Sequence, residues 1–226
     1  MNIVRDDIRP ACDRRRDRWT APRVGLLGCL LALGSGCALG IVSRLGDWLP
    51  PALAWLVNIG GPWLALAFAL GALTRSVCQG ALYGALALIG AVVGYYGWMH
   101  IVERQANLAY LTSIAAVWFA VAIVGGAVFG TAGASWRARR WWRGAIGVAL
   151  LSGALAGESL LLLPRPYNIT QKGVFVVELT AALLLPWVLL RERRSRIIAL
   201  LFTIGGTIIA SGVIVGIKVV FRVVTG

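Results

Sequence analysis

Residues 144–164 read GAIGVALLSGALAGESLLLLP, and residues 174–190 read VFVVELTAALLLPWVLL. Each is an apolar run long enough to approach the eighteen or so residues that mark a membrane-spanning helix. A short polar loop, Pro164 to Lys172, joins them. The pair therefore reads as a helical hairpin in a bilayer. Each run holds one acidic residue, Glu158 or Glu178, and these are the two acids of the chain that sit inside hydrophobic runs. Because the two helices run in opposite directions, both carboxyl groups fall near the loop side, at a depth of roughly 8 Å at 1.5 Å per residue. An acid at that depth is costly unless it faces the bundle interior, a partner or water. Two interpretations follow. In one, the carboxyl groups line a cavity and bind a cation, a cationic solute or protons. In the plainer one, each glutamate reaches the interface or accepts hydrogen bonds from a neighbouring helix.

The rest of the chain is of the same kind. Of its 226 residues 59 % are hydrophobic, and the mean hydropathy is +0.80, far above a soluble domain. Val- and Ile-rich stretches such as GVIVGIKVVF are read as lipid-facing helix, since an isolated strand cannot satisfy its backbone groups in lipid. The expected fold is an all-α, polytopic transmembrane helix bundle of about seven spans, or six if the short second segment is re-entrant. Residues 1–23 form a basic tail and residues 24–222 a single transmembrane domain.

Helix 1, about Val24 to Val42, carries Gly28, Ala32, Gly36 and Gly40 at four-residue spacing, a small-residue face that lets another helix approach closely. That face serves packing within the chain or docking of a partner membrane subunit or second copy. After Pro50 and Pro51, the run to Thr74 is broken by Asn58-Ile59-Gly60-Gly61-Pro62. It divides into a short interfacial helix, Pro50 to Val57, a turn, and a short helix 2 from Pro62, which fits the first helical turn because its missing N–H costs nothing there. Broken helices border substrate sites in transporters, which singles out Asn58. Helix 3, Val77 to Met99, ends in Tyr95-Tyr96-Gly97-Trp98-Met99-His100, an interface belt or part of a cavity wall. Helices 4 to 7 are expected at 108–134, 144–163, 173–190 and 197–221.

The formal charge of +13 would suggest nucleic acid in a soluble protein. Here the basic residues fall in loops between spans, as in the run Trp136 to Arg143, WRARRWWR, so the expected partner is a bilayer with anionic headgroups and no nucleic acid. Sixteen of the 22 Lys and Arg lie on one side of a seven-span topology and six on the other. The positive-inside rule then places the N-terminus in the cytoplasm and the C-terminus outside. Asn58, Tyr95, Tyr96, Glu158 and Glu178 all come toward the external half. A bacterial plasma membrane is the expected location. No C-x-x-C pair occurs among Cys12, Cys29, Cys37 and Cys78, and His100 is far from all four, so neither metal nor cofactor is indicated. Without H-E-x-x-H, G-x-S-x-G or a histidine inside a span, an enzyme is not expected.

The stretch Asn58-Ile59-Gly60-Gly61-Pro62-Trp63, with Ala67-Phe68-Ala69-Leu70-Gly71 and Gly94-Tyr95-Tyr96, resembles a family of uncharacterised multi-span membrane proteins from high-GC bacteria, a domain of unknown function. The resemblance covers about residues 50–98 and carries no catalytic residue. The small-residue face of helix 1 is similar to the docking face of substrate-capture subunits of energy-coupling vitamin importers, though no vitamin motif is present. Seven spans with Lys218 in the last helix resemble retinal proteins, but Lys218 lies near the helix end and no intramembrane Asp is present as counter-ion. Small-solute or cation binding and transport through an outward-facing site (Glu158, Glu178, Asn58, Tyr95 and Tyr96) is the expected role. A non-catalytic scaffold or accessory subunit is the alternative.

Overall fold

The computed structural model describes residues 21–50, 59–74, 76–104, 108–137, 141–162 and 169–225. All but Pro50 of the proposed interfacial helix Pro50 to Val57, and residue Asn58, lie outside the described residues, as does most of the basic tail. The described residues form seven helices: α1 (Ala21–Gly46), α2 (Gly60–Ala72), α3 (Val77–Ile101), α4 (Leu108–Trp136), α5 (Trp141–Leu162), α6 (Ile169–Leu189) and α7 (Arg193–Thr225). Six of them are long and apolar enough to cross a membrane, and α2, with 13 residues, is the short one. At 1.5 Å per residue α2 extends about 20 Å, two thirds of a hydrocarbon core of about 30 Å.

The glycines set how the helices meet. A methyl group on Gly36 or Gly40 of α1 would run into the backbone carbonyl of Ala87 or Ala91 of α3, and one on Gly90 or Gly94 into that of Leu33 or Cys37. Residue numbers rise together across this contact, so α1 and α3 are parallel. Gly80 and Gly84 of α3 meet Gly130 and Gly126 of α4 in the opposite sense. Gly153 and Gly157 of α5 meet Gly206 and Ala210 of α7, again in parallel. In lipid no hydrophobic force drives helices together, so close van der Waals contact through small residues has to do it. The small-residue face of α1 is therefore filled from within the chain by α3.

The outside of the bundle is apolar. Leu27, Leu31, Phe202, Ile204 and Ile208 are all more than half exposed, an arrangement that calls for lipid rather than water around it. Two groups of helices result, α1–α3–α4 and α5–α6–α7. They join where α4 packs on α5, and α2 is wedged against α3, α4 and α5. The core follows that seam: Phe68 of α2, Ala132 of α4, Val148 and Leu151 of α5, and Ala199 of α7.

Gly40→Leu would drive α1 off the Ala91 carbonyl. It is expected to cost about 1–3 kcal/mol of overpacking, seen as earlier thermal unfolding in detergent. Gly34→Leu, on the same helix but with open space at its Cβ position, should unfold like the parent protein.

Candidate functional site

The start of α2 is the unusual feature of the bundle. A helix leaves its first N–H groups without intrahelical partners, and Ser, Thr, Asp or Asn at the N-cap usually takes one of them. Helix α3 follows this rule, with the Ser76 hydroxyl accepting from the Gln79 N–H. The N-cap of α2 is Ile59, which offers no side-chain acceptor. Pro62 removes one donor from the first turn, since it has no N–H, but the Gly60 and Gly61 N–H groups remain.

Glu158 supplies what Ile59 lacks. Its Oε1 accepts from the Gly60 N–H at 2.9 Å, across 98 residues of sequence. Beside it, Glu178 of α6 is 2 % exposed, and neither of its carboxyl oxygens makes a well-formed hydrogen bond among the described residues; the polar groups it lies against are the Glu158 carboxyl and the Gly61 N–H. Glu158 is the titratable side chain that Glu178 faces. The two glycines make the approach possible. A methyl on Gly60 would lie 2.8 Å from Oε2 of Glu158, and one on Gly61 would lie 2.9 Å from Leu155 and 3.2 Å from Oε1 of Glu178. Leu155, Ala156 and Ala182 pack together where α5 meets α6.

The electrostatics follow from this geometry. The N-terminus of a helix carries a partial charge of about +0.5, which favours a carboxylate within the first turn. Two carboxyl groups share that one helix end; with both ionised the balance would be negative, so a proton or another cation between them is favoured. Among the described residues no three His, Cys, Asp or Glu side chains gather as a metal-ligating group.

A second polar cluster ties the end of α1 to the end of α3. Arg44 donates from Nε to Glu103 Oε1 at 2.8 Å and from Nη2 to Oε2, a bidentate pair. It also donates from Nη1 to Asp47 Oδ2 at 2.7 Å, and the Tyr95 hydroxyl donates to the same oxygen at 2.7 Å. The guanidinium stands 5.7 Å from the Tyr95 ring centroid. Tyr95 thus belongs to this cluster by its hydrogen bond, and its ring meets that of Tyr96 edge-on at 5.2 Å. Tyr96 packs with Trp63, Leu64 and Phe119 around Val92. The Trp63 indole N–H, one turn into α2, donates to the buried Ser43 hydroxyl at 3.1 Å. So α2 is held at its start on both sides, by Ser43 of α1 and by Glu158 of α5.

Of the residues singled out in the sequence, Glu158 and Glu178 are brought together at Gly60 and Gly61, Tyr95 and Tyr96 sit on α3, and Asn58 lies outside the described residues. The pairing of Glu103 with Arg44 is not legible in the sequence. The two are 59 residues apart, and an acid in a polar loop carries no mark of pairing. The capping role of Glu158 was not anticipated either. The signal for that was the absence of a cap at Ile59 before a Gly-Gly-Pro start.

The model of a family of unknown function, DUF6518, matches residues 20–220. The chain belongs to that family. DUF6518 membership thus takes in all seven helices and both glutamates, well beyond residues 50–98, where the resemblance was first legible. No curated protein and no solved structure matches the chain.

Replacing Glu158 separates acceptor from charge. Glu158→Gln keeps an oxygen for the Gly60 N–H and should unfold close to the parent. Glu158→Leu leaves that donor buried and unpaired, with an expected loss of about 1–3 kcal/mol. Thermal unfolding of the two variants side by side, in one detergent, measures the difference.

Proposed function

We propose that this DUF6518 protein binds a small cation or cationic solute at the Glu158–Glu178 pair and carries it across the membrane. The observation that carries this reading is Glu178. A charged carboxylate withdrawn from water without a partner costs on the order of several kcal/mol, and in an apolar span such residues mark ion and solute pathways. Glu178 is 2 % exposed, makes no well-formed hydrogen bond among the described residues, and lies against a second carboxyl group and the Gly61 N–H. The site also stands at the start of a helix that spans only part of the bilayer, the kind of element around which carriers build midplane sites. By the positive-inside rule, the end of the bundle holding Asp47, Glu103 and the glutamate pair faces outward from a bacterial plasma membrane, and the site opens there.

The alternative, a scaffold or accessory subunit, needs a free helix face. The glycines of α1, α3 and α4 that would offer one are packed against neighbours of the same chain. What favours this alternative is α7, where Gly205, Gly212 and Gly216 have open space at their Cβ positions.

Purified protein unfolded in the presence of sodium, potassium, magnesium, ammonium or small amines should gain stability from at least one of them. A ligand at a hundred times its dissociation constant adds about 2.7 kcal/mol. Glu178→Gln should abolish the gain while remaining folded. If no cation stabilises the parent protein, or if the gain persists in Glu178→Gln, the carboxyl pair is not the site.

A further inference from the structure

The arginine-rich end of the bundle gathers two sequence runs that lie some fifty residues apart. Helices α5 and α7 are parallel neighbours, so the start of α5, Trp141-Trp142-Arg143, and the start of α7, Arg193-Arg194-Ser195-Arg196, emerge side by side. Direct contact joins them. The Arg194 guanidinium stands 5.9 Å from the Trp141 ring centroid, across the two helices. Arg143 stacks on Trp142 at 5.4 Å, and Arg196 on Trp187, at the end of α6, at 5.3 Å.

These arginines divide into two sets. Arg137 and Arg196 are committed to the chain itself: Arg137 donates to the Ala72 carbonyl at 3.2 Å and Arg196 to the Leu190 carbonyl at 2.7 Å. Arg143, Arg191, Arg193 and Arg194 are exposed, and among the described residues none has a hydrogen bond or an ion pair. The one acid nearby, Glu192, accepts from the Ser195 hydroxyl at 3.5 Å. Neither α5 nor α7 has an acidic residue in its first turn. Helix α5 thus begins with Arg143 on a positive dipole end, which favours an anion there, while α7 has the single acid Glu192 at its N-cap against the three arginines of its first turn.

Stacking fixes the faces of the Arg143 and Arg194 guanidinium groups and leaves their N–H edges free. That edge matches the oxygens of a phosphate, two donors to two acceptors. The Trp141 and Trp142 rings are each 41 % exposed, at the depth where amphipathic aromatics favour the headgroup region. Further along the same two helices, Ile146 and Leu150 of α5 and Ile197 and Leu201 of α7 are exposed and apolar. A ligand seated here meets phosphate-binding groups first and hydrocarbon next. We propose that Arg143 and Arg194, held by Trp142 and Trp141, form a discrete binding site for the phosphate of an anionic phospholipid, with its acyl chains along the exposed faces of α5 and α7. This site is at the opposite end of the bundle from the glutamate pair and does not depend on the reading given there.

The test uses the full chain in detergent, with added phosphatidylglycerol, phosphatidylcholine or inorganic phosphate. Native mass spectrometry counts bound lipid, and thermal unfolding reads its effect. The expected result is saturable binding of phosphatidylglycerol in preference to phosphatidylcholine, with a matching rise in Tm. That binding should weaken at least about tenfold in Arg143→Gln/Arg194→Gln, recover in part in Arg143→Lys/Arg194→Lys, and be unaffected by Lys218→Gln at the far end of α7. Three results would overturn the proposal: equal binding of the two lipids, an equal loss in Lys218→Gln, or a Tm rise with inorganic phosphate that matches phosphatidylglycerol and competes with it. The first two mean diffuse attraction or none, and the third a site for a free anion.

Discussion

The hydrogen bond from the Gly60 N–H to Glu158 is the contact on which the rest of the arrangement depends. Inside a bilayer no water is at hand to satisfy a helix that starts part-way across, so its first donors need protein acceptors. Helix α2 brings no cap of its own, because Ile59 stands where a hydroxyl or carboxylate would serve. The acceptor comes from α5 instead, and the Gly-Gly sequence lets the carboxyl groups lie against the backbone. Trp63 then fastens the other side of the same turn to Ser43. One helix too short to span is thereby held between the two halves of the bundle. The acid that Glu158 faces, Glu178, is left buried against that carboxyl group and the start of α2.

Packing by glycine explains why so many parts of the chain can be this close. Contacts such as Gly36 on the Ala87 carbonyl or Gly84 on Gly126 bring helix backbones together without intervening side chains. They leave the large apolar residues for the outside, where lipid takes the place of a hydrophobic core. The chain has its bulk facing outward and its small residues inward, and the polar clusters lie where the helix ends converge.

The fold was largely legible because bilayer thickness dictates it. Helix α3 was expected over Val77 to Met99 and is found over Val77–Ile101, and α4, expected to end at Ala134, ends at Trp136. The break at Asn58 to Pro62 announced a short second helix, although Gly60 and Gly61 belong to it rather than to the turn before it. The convergence of Glu158 and Glu178 was legible as equal depth in a hairpin, since antiparallel helices must align their loop ends. What a single sequence could not disclose were pairings across distance. Arg44 with Glu103, Trp63 with Ser43 and Arg194 with Trp141 each depend on which helices become neighbours, and hydropathy says nothing of that. The contact between α5 and α7, which passes over the adjacent α6, is the chief example.

The span of the Gly60–Glu158 bond also sets an order on how the molecule is made. The donor is synthesised 98 residues before its acceptor. At about 5–20 residues per second that is an interval of roughly 5–20 s, during which α2 has neither its capping partner nor enough length to stay across a bilayer unaided. The first four helices can associate as they emerge, because the glycine contacts among α1, α3 and α4 are all present early. The second helix can pack on α3 and α4 at once, but its start is capped only when α5 arrives, and the carboxyl pair is complete only when α6 brings Glu178.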